Sequence, residues 1–291
     1  MADRRGSKAI FETGCSNRGA NVAEANLSPA IVEALAGERT PKFLATLSSE
    51  GVPNVVPIIS LQAVDESTVI FGEFMMWKTR QNLEVNPRVS LAVMTTSHGW
   101  VIKGDFLEFQ RSGPYFDRIM ASDMFRYNAY AGIRNAGVIR VRSVVRAFAL
   151  SRFTVLLDMA RARWFARRAR RRGVAAVTVP IQVRQKFARL QAAKCLAYLD
   201  GDGYPDIVPA LSLIPADEQT FVFSSGLAAP ALAALSPGAK VAASVLTFEP
   251  VAYQIKGEFL GAERSLGRLA GVVAVQEVYS ASPPLLGQRI A

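Results

Sequence analysis

Phe43–Gly72 reads FLATLSSEGVPNVVPIISLQAVDESTVIFG, and the same pattern returns without a gap at Cys195–Ser224 as CLAYLDGDGYPDIVPALSLIPADEQTFVFS. Thirteen of the thirty aligned positions are identical, among them Leu44/Leu196, Gly51/Gly203, Pro53/Pro205, Pro57/Pro209, Ser60/Ser212, Asp65/Asp217 and Phe71/Phe223. The match resumes at Arg88-Val89 against Lys240-Val241 and, after one inserted residue, at Ile102–Leu107 against Ile255–Leu260. The offset of 152 residues far exceeds the roughly 20–50-residue period of solenoid repeats, so two whole domains are duplicated.

Inside each unit, short apolar runs alternate with turn signals. Phe43–Leu47, Asn54–Leu61 and Thr68–Phe71 read as strands separated by a Ser-Ser-Glu-Gly turn and a turn at Asp65-Glu66. The Gly51-x-Pro53 spacing suits a hairpin turn followed by a strand start, where the donor missing from proline is tolerated. Ser28 caps a short helix with Pro29 at its first position, Ile31, Val32 and Leu35 at helical spacing, and Gly37 as its stop. A second short helix is predicted over Thr79–Val85, closed by Asn86-Pro87, with Val89–Met94 and Trp100–Phe109 completing about six strands. Gly137–Phe148 alternates as a further strand, while Pro114–Tyr130 and Ser151–Arg172 read as helical. Five or six short antiparallel strands with two small helices suggest a closed or half-closed barrel. The expected organisation is a flexible tail at 1–26, a first barrel domain at 27–150, a basic helical connector at 151–190 and a second barrel domain at 191–291.

Half of the 291 residues are apolar, enough for a core in each domain. The most apolar region, Gly226–Leu246, is interrupted by Pro230, Pro237 and Lys240, so no transmembrane segment is expected. The amino-terminal segment has no hydrophobic stretch for export, and a cytoplasmic protein is expected. Cys15 lies in a polar tail and Cys195 at the start of a buried strand, which argues against a disulfide. His98 is the single histidine. Zinc binding and Ser-His-Asp catalysis would both rest on that one imidazole and are not expected, and no metal site is assigned. Haem needs only one axial histidine in principle.

The formal net charge of +10 is largely local, because Arg161–Arg172 (RARWFARRARRR) carries seven arginines. Such a run either touches anionic lipid or nucleic acid, or is the solvated face of a connector helix. The second reading is expected, with Leu156, Leu157, Met159, Trp164 and Phe165 docking the helix, because no nucleic-acid motif is interleaved with the charge.

The stretch Met75–Pro87, MMWKTRQNLEVNP, carries the chemistry. A strand ends near Phe74 and a helix begins at Thr79, which either caps free backbone N–H groups or joins them in holding an anion. Helix N-termini attract phosphate, and Lys78 and Arg80 add a compact ammonium and a bidentate fork. Lys78, Thr79, Arg80 and Asn82 correspond in the second copy to Pro230, Ala231, Leu232 and Ala234. The core pattern is kept in both copies, whereas the charge is present in one. One intact anion site per chain is the simplest count.

These residues resemble a known family. FGEFMMWKTRQNLEVNPRVSLAV, WVIKGDFLEF (YQIKGEFL in the second copy) and Gly113-Pro114-Tyr115-Phe116 are similar to the pyridoxamine 5'-phosphate oxidase-like flavin-binding split-barrel proteins. The resemblance covers residues 28–130 well and 192–262 more weakly. It implies a mainly β fold with flanking helices: two tandem, six-stranded, antiparallel split β-barrels of Greek-key type, with FMN bound where barrels pair. It further implies that Lys78, Thr79, Arg80 and Asn82 hold the flavin phosphate, that Pro57, Ile58, Ile59 and Ser60 run along the isoalloxazine, and that Gly72, Glu73 and Phe74 line its other side. The family's carboxy-terminal Arg-x-His segment, which grips pyridoxamine phosphate, has no counterpart in LLGQRIA, which points away from vitamin B6 oxidation.

A cation near the reduced ring favours flavin reduction, and Lys103, copied as Lys256, is the candidate catalytic residue. The reading is an FMN-dependent oxidoreductase acting on a small organic molecule, with a nicotinamide or a partner flavoprotein as electron donor. The alternative is a flavin, deazaflavin or haem carrier without turnover. Two barrels in one chain supply either an intrachain pseudo-dimer or half of a homodimer, and no nucleic-acid partner is expected.

Overall fold

A computed structural model describes residues 26–74, 76–122, 132–169, 177–249, 251–265, 267–282 and 287–291. The expected tail, apart from Asn26, and the 123–130 part of the expected third helix lie outside the described residues. The first unit runs α1 (Pro29–Ala36), β1 (Lys42–Leu47), β2 (Pro53–Pro57), β3 (Gln62–Ala63), β4 (Thr68–Gly72), α2 (Trp77–Val85), β5 (Arg88–Met94), β6 (His98–Gln110), α3 (Pro114–Met120) and β7 (Ala136–Ala149). Its seven strands pair antiparallel in the order β2-β1-β5-β6-β7-β4-β3. β2 and β3 follow each other in sequence yet lie at opposite edges, so the sheet is open between them: a split barrel. The seventh strand beyond the six expected is the two-residue β3.

The second unit repeats this with β8 (Ala193–Leu199), β9 (Pro205–Pro209), β10 (Ile214–Pro215), β11 (Thr220–Ser224), β12 (Lys240–Leu246), β13 (Ala252–Ser265) and β14 (Arg268–Ser280), ordered β10-β11-β14-β13-β12-β8-β9. Gly51 and Gly203 occupy matching hairpin turns at φ 73° and 80°, a backbone that favours glycine and explains its presence in both copies. The strand expected over Asn54–Leu61 stops at Pro57, where a turn reaches Leu61 before β3 begins.

β1 and β5 are buried on both faces, which is why they read as continuous apolar runs. Leu44 and Leu91 face their own barrel core beside Phe71 and Ile102. Phe43, Ala45, Val55 and Ala92 face the other way and pack on Cys195, Ala197, Ile207 and Ala242 of the second unit. The two sheets therefore meet back to back through strand faces, and the buried Cys195 thiol belongs to that shared layer.

Between the units lie α4 (Arg152–Ala169) and α5 (Ile181–Ala188), and α6 (Ser225–Ala234) follows β11. Met159, Ala162, Phe165, Ala166 and Ala169 seat α4 on Val222 and Val272 of the second sheet. The docking expected of Leu156, Leu157 and Trp164 is not seen, because these side chains point outward on the other face of the helix. No described helix is long and apolar enough to cross a membrane.

Candidate functional site

A cleft opens where the start of α2 and strand β2 meet the ends of β13 and β14. The first unit contributes Asn54, Val56, Pro57, Phe74, Trp77, Lys78 and Thr79, and the second contributes Gln254, Tyr279, Ser280 and Gly287. Gln254 fastens the junction by donating its side-chain amide to the Val55 carbonyl at 2.7 Å.

α2 begins at Trp77, two residues before the expected start, and no side chain caps it. The helix end therefore offers backbone N–H donors and a partial positive charge to the cleft. Lys78 reaches across to the second unit, where its ammonium donates to the Tyr279 hydroxyl and lies 3.8 Å from the ring centroid. The phenol in turn donates to Glu277 at 2.7 Å, and Arg289 approaches the same carboxylate at 3.4 Å. Lys256 stands 5.9 Å from the Tyr279 ring. Burial pushes the Lys256 ammonium down to about 8, with the Lys78 charge adding to the effect. Burial also lowers Lys78 and, aided by Glu277, raises the Tyr279 phenol. Three cations face one carboxylate here.

Thr79 does not cap α2. Its side chain is buried, and its hydroxyl accepts from the Asn54 amide at 3.2 Å; Asn82 donates to Thr46 at 2.9 Å. The two pairs weld α2 to the β1–β2 hairpin and hold the helix end at the cleft. Arg80 is engaged by Glu73 at 2.9 Å and by Glu84 at 2.9 Å, and its guanidinium sits 5.0 Å from the Phe109 ring. Glu73 is buried and also accepts from Asn135.

Of the sequence-derived site residues, Pro57, Phe74, Lys78 and Thr79 line the cleft. Ile58 belongs to the barrel core. Ile59 and Ser60 border a separate surface cavity with Lys42 and Arg118, although the Ser60 hydroxyl accepts from the Gly72 amide at 3.0 Å. Ser212 and Ser224 repeat that bond at 3.0 Å, so it is a feature of the fold rather than of one site.

Lys103 is placed elsewhere. It pairs with Asp200 at 2.8 Å and Asp202 at 2.6 Å in the β8–β9 turn, clamping the two units together. The cation beside the cleft is its duplicate, Lys256. The sequence offered no means of telling which of the two copied lysines would lie there, and it missed Asn54, Gln254 and Tyr279, which the fold brings from distant positions.

The pseudo-equivalent region on the other side is a smaller pocket, lined by Asp158, Pro209, Leu227 and Ala228 among others. Trp100 faces Ala147 as Tyr253 faces Ser280, so Arg146 is the counterpart of Tyr279. Arg146 crosses to Asp206, the counterpart of Asn54, at 2.6 Å. At the start of α6, the Asp158 carboxylate of α4 accepts from the Ser224 hydroxyl at 3.4 Å and lies where a Cβ on Gly226 would stand. A carboxylate of the chain itself thus sits beside this helix start, which, like that of α2, has no side-chain cap hydrogen bond.

The family model described as "Pyridoxamine 5'-phosphate oxidase" matches residues 27–155. This part of the chain is similar to the pyridoxamine 5'-phosphate oxidase-like family. Among solved structures, HupZ from Group A Streptococcus is 22% identical over 43% of this chain and 95% of its own, with a TM-score of 0.35. An FMN-binding protein from Syntrophomonas wolfei is 19% identical over 42% of this chain and 87% of its own, with a TM-score of 0.34. HutZ, the heme storage protein from Vibrio cholerae, is 19% identical over 42% and 94%, with a TM-score of 0.31. None of the curated proteins matches the chain.

For the oxidase-like unit, the donor set at the cleft fits a phosphate-bearing cofactor: an uncapped helix end, the Lys78 ammonium, and apolar walls at Val56, Pro57, Phe74 and Trp77 that suit a flat ring. It suits haem less well. The chain's one histidine, His98, is exposed at the start of β6 and is not among the described residues lining the cleft.

Proposed function

We propose that the chain is an FMN-dependent oxidoreductase acting on a small organic molecule, with the flavin phosphate at the start of α2 and the ring along Pro57 and Phe74. The 27–150 unit holds the cofactor and the 191–291 unit closes the cleft, so the chain acts as an intrachain pseudo-dimer. The observation that carries this reading is the uncapped N-terminus of α2, with Lys78 beside it, in a cleft between the units. FMN, when bound, supplies reversible hydride acceptance. The chain's residues supply the rest: Lys78 and the helix end neutralise the phosphate, and Val56, Pro57 and Phe74 give the ring an apolar wall. Lys256 places positive charge beside the cleft, and the Tyr279 hydroxyl, between Lys78 and Glu277, is held to exchange a proton with whatever binds next to it. A nicotinamide or a flavoprotein is the proposed electron donor.

The test is stoichiometry followed by reduction. Purified full-length protein is titrated with FMN, followed by quenching of flavin fluorescence, and then mixed anaerobically with NADH or NADPH. One FMN per chain, a dissociation constant raised about tenfold or more in Lys78→Ala, and bleaching of the flavin support the reading. Absence of FMN binding overturns it; binding that is indifferent to Lys78 overturns the phosphate assignment.

A further inference from the structure

Helix α4 presents a second apolar face that the described residues leave exposed. Its inner face, from Met159 to Ala169, is buried on the second sheet. Its outer face carries Phe153, Leu156, Leu157, Ala160 and Trp164, spaced at i, i+3, i+4, i+7 and i+11, which places them on one side. Phe153 is 72% exposed, Leu156 51% and Trp164 42%. A helix docked through one face ordinarily turns polar side chains to water on the other, so an exposed apolar stripe on α4 calls for an occupant.

The charges around the stripe say which. Arg163 and Arg167 line a shallow groove with Leu156, Trp164 and Leu190, and the Arg168 guanidinium lies 5.2 Å from the Trp164 ring. The only acidic residue of α4 is Asp158, which is turned inward to Ser224. The outward face is therefore apolar and cationic with no carboxylate. A second copy of the chain would set arginines against arginines. A nucleic acid would contact the arginines but leave Phe153, Leu156 and Leu157 in water. An anionic bilayer accepts both, taking the apolar side chains below the headgroups and pairing the arginines with phosphates.

We infer that α4 lays its outer face in the headgroup region of an anionic membrane, making this a peripheral membrane protein. At 18 residues the helix is about 27 Å long and lies flat rather than spanning. The inference stands apart from the cofactor reading, because α4 lies outside the open cleft.

Full-length protein is sedimented with phosphatidylcholine vesicles with and without phosphatidylglycerol. Binding is expected only with the anionic lipid, weakening as salt is raised. It should fall about tenfold or more in Phe153→Ser/Leu157→Ser/Trp164→Ser and also in Arg163→Gln/Arg167→Gln/Arg168→Gln. All substituted side chains are solvent-facing, and an unchanged circular dichroism spectrum and melting transition in the arginine variant keeps the test valid should the apolar variant misfold. Absence of sedimentation overturns the inference. Full binding by a folded apolar variant does so too, as does tighter binding to duplex DNA than to vesicles, which would make the arginines a nucleic-acid surface instead.

Discussion

Lys78 and Tyr279 lie 201 residues apart and meet across the cleft, the ammonium over the ring at 3.8 Å and bonded to its hydroxyl. The second copy thus supplies one wall of the cleft at the start of α2. The second copy, which has Pro230 where the first has Lys78, contributes to this cleft through its sheet, at Gln254, Tyr279 and Ser280.

Ligand affinity at this cleft should depend on pH through Lys256. Burial, then Lys78, brings this group down to about 8, so it is charged below that pH and neutral above it. FMN binding is expected to weaken as pH rises through about 8, while riboflavin, which has no phosphate, changes little. Lys256→Met should flatten the FMN profile. Dissociation constants for the two flavins between about pH 6.5 and 9.5 give the answer, and parallel profiles would remove Lys256 from the phosphate's surroundings.

Thr79→Ala is expected to act on the fold before it acts on the ligand. The side chain is buried, and its removal leaves the Asn54 amide without its acceptor, a loss of about 1–3 kcal/mol. Urea unfolding of Thr79→Ala, Asn54→Ala and the double variant should show a coupled, less than additive loss. Strict additivity would mean that the hydrogen bond contributes nothing.

The fold was legible because its signals are local or repeated. Thirteen identities in thirty positions mark the duplication, and the paired turns at Gly51 and Gly203 mark the same hairpin twice. The α2 region was legible for the opposite reason, since Lys78 stands where its copy has Pro230. What could not be read was partnership across the units. Lys103 and Lys256 occupy copied strand positions, and only the packing sends one to Asp200 and Asp202 and the other to the cleft. Tyr279 lies beyond the stretch where the two copies align, so no comparison within the sequence could single it out. Helix α4 misled because apolar residues surround it: periodicity shows that Leu156 and Trp164 are on a helix, not which of its two apolar faces is docked.

The junction should be sensitive at Asp206. Its carboxylate is 2% exposed, accepts from Arg146 at 2.6 Å and also receives the Tyr198 hydroxyl at 2.6 Å. Removing one member of a buried pair leaves the other charge uncompensated, so Asp206→Ala is expected to destabilise by about 3–5 kcal/mol. Arg146→Met/Asp206→Leu should recover much of that loss, because it removes both charges. A double variant as unstable as Asp206→Ala alone would show that packing, not charge, sets the cost.

Stability should rise on the alkaline side of neutrality. Lys42 and Lys194 occupy matching positions, are buried, and donate to main-chain carbonyls: Leu35 at 2.7 Å and Leu61 at 3.0 Å for Lys42, and Leu213 at 3.2 Å for Lys194. Burial lowers Lys42 to about 8 and, with Arg163 adding repulsion, Lys194 to about 7. In the unfolded chain both titrate near 10.4, so between about pH 7 and 10 the unfolded state binds more protons than the folded one. The free energy of unfolding therefore increases with pH over that window. The raised phenols of Tyr198 and Tyr279 act in the opposite sense only above about pH 10, where the unfolded tyrosines ionise. Urea midpoints measured from about pH 7 to 9.5 should climb in the parent chain. In Lys194→Met the climb should be shallower, because that variant replaces a buried titrating group with one of similar length that binds no proton. An unchanged slope in Lys194→Met would show that Lys194 keeps its proton in the folded state, held by the Leu213 carbonyl.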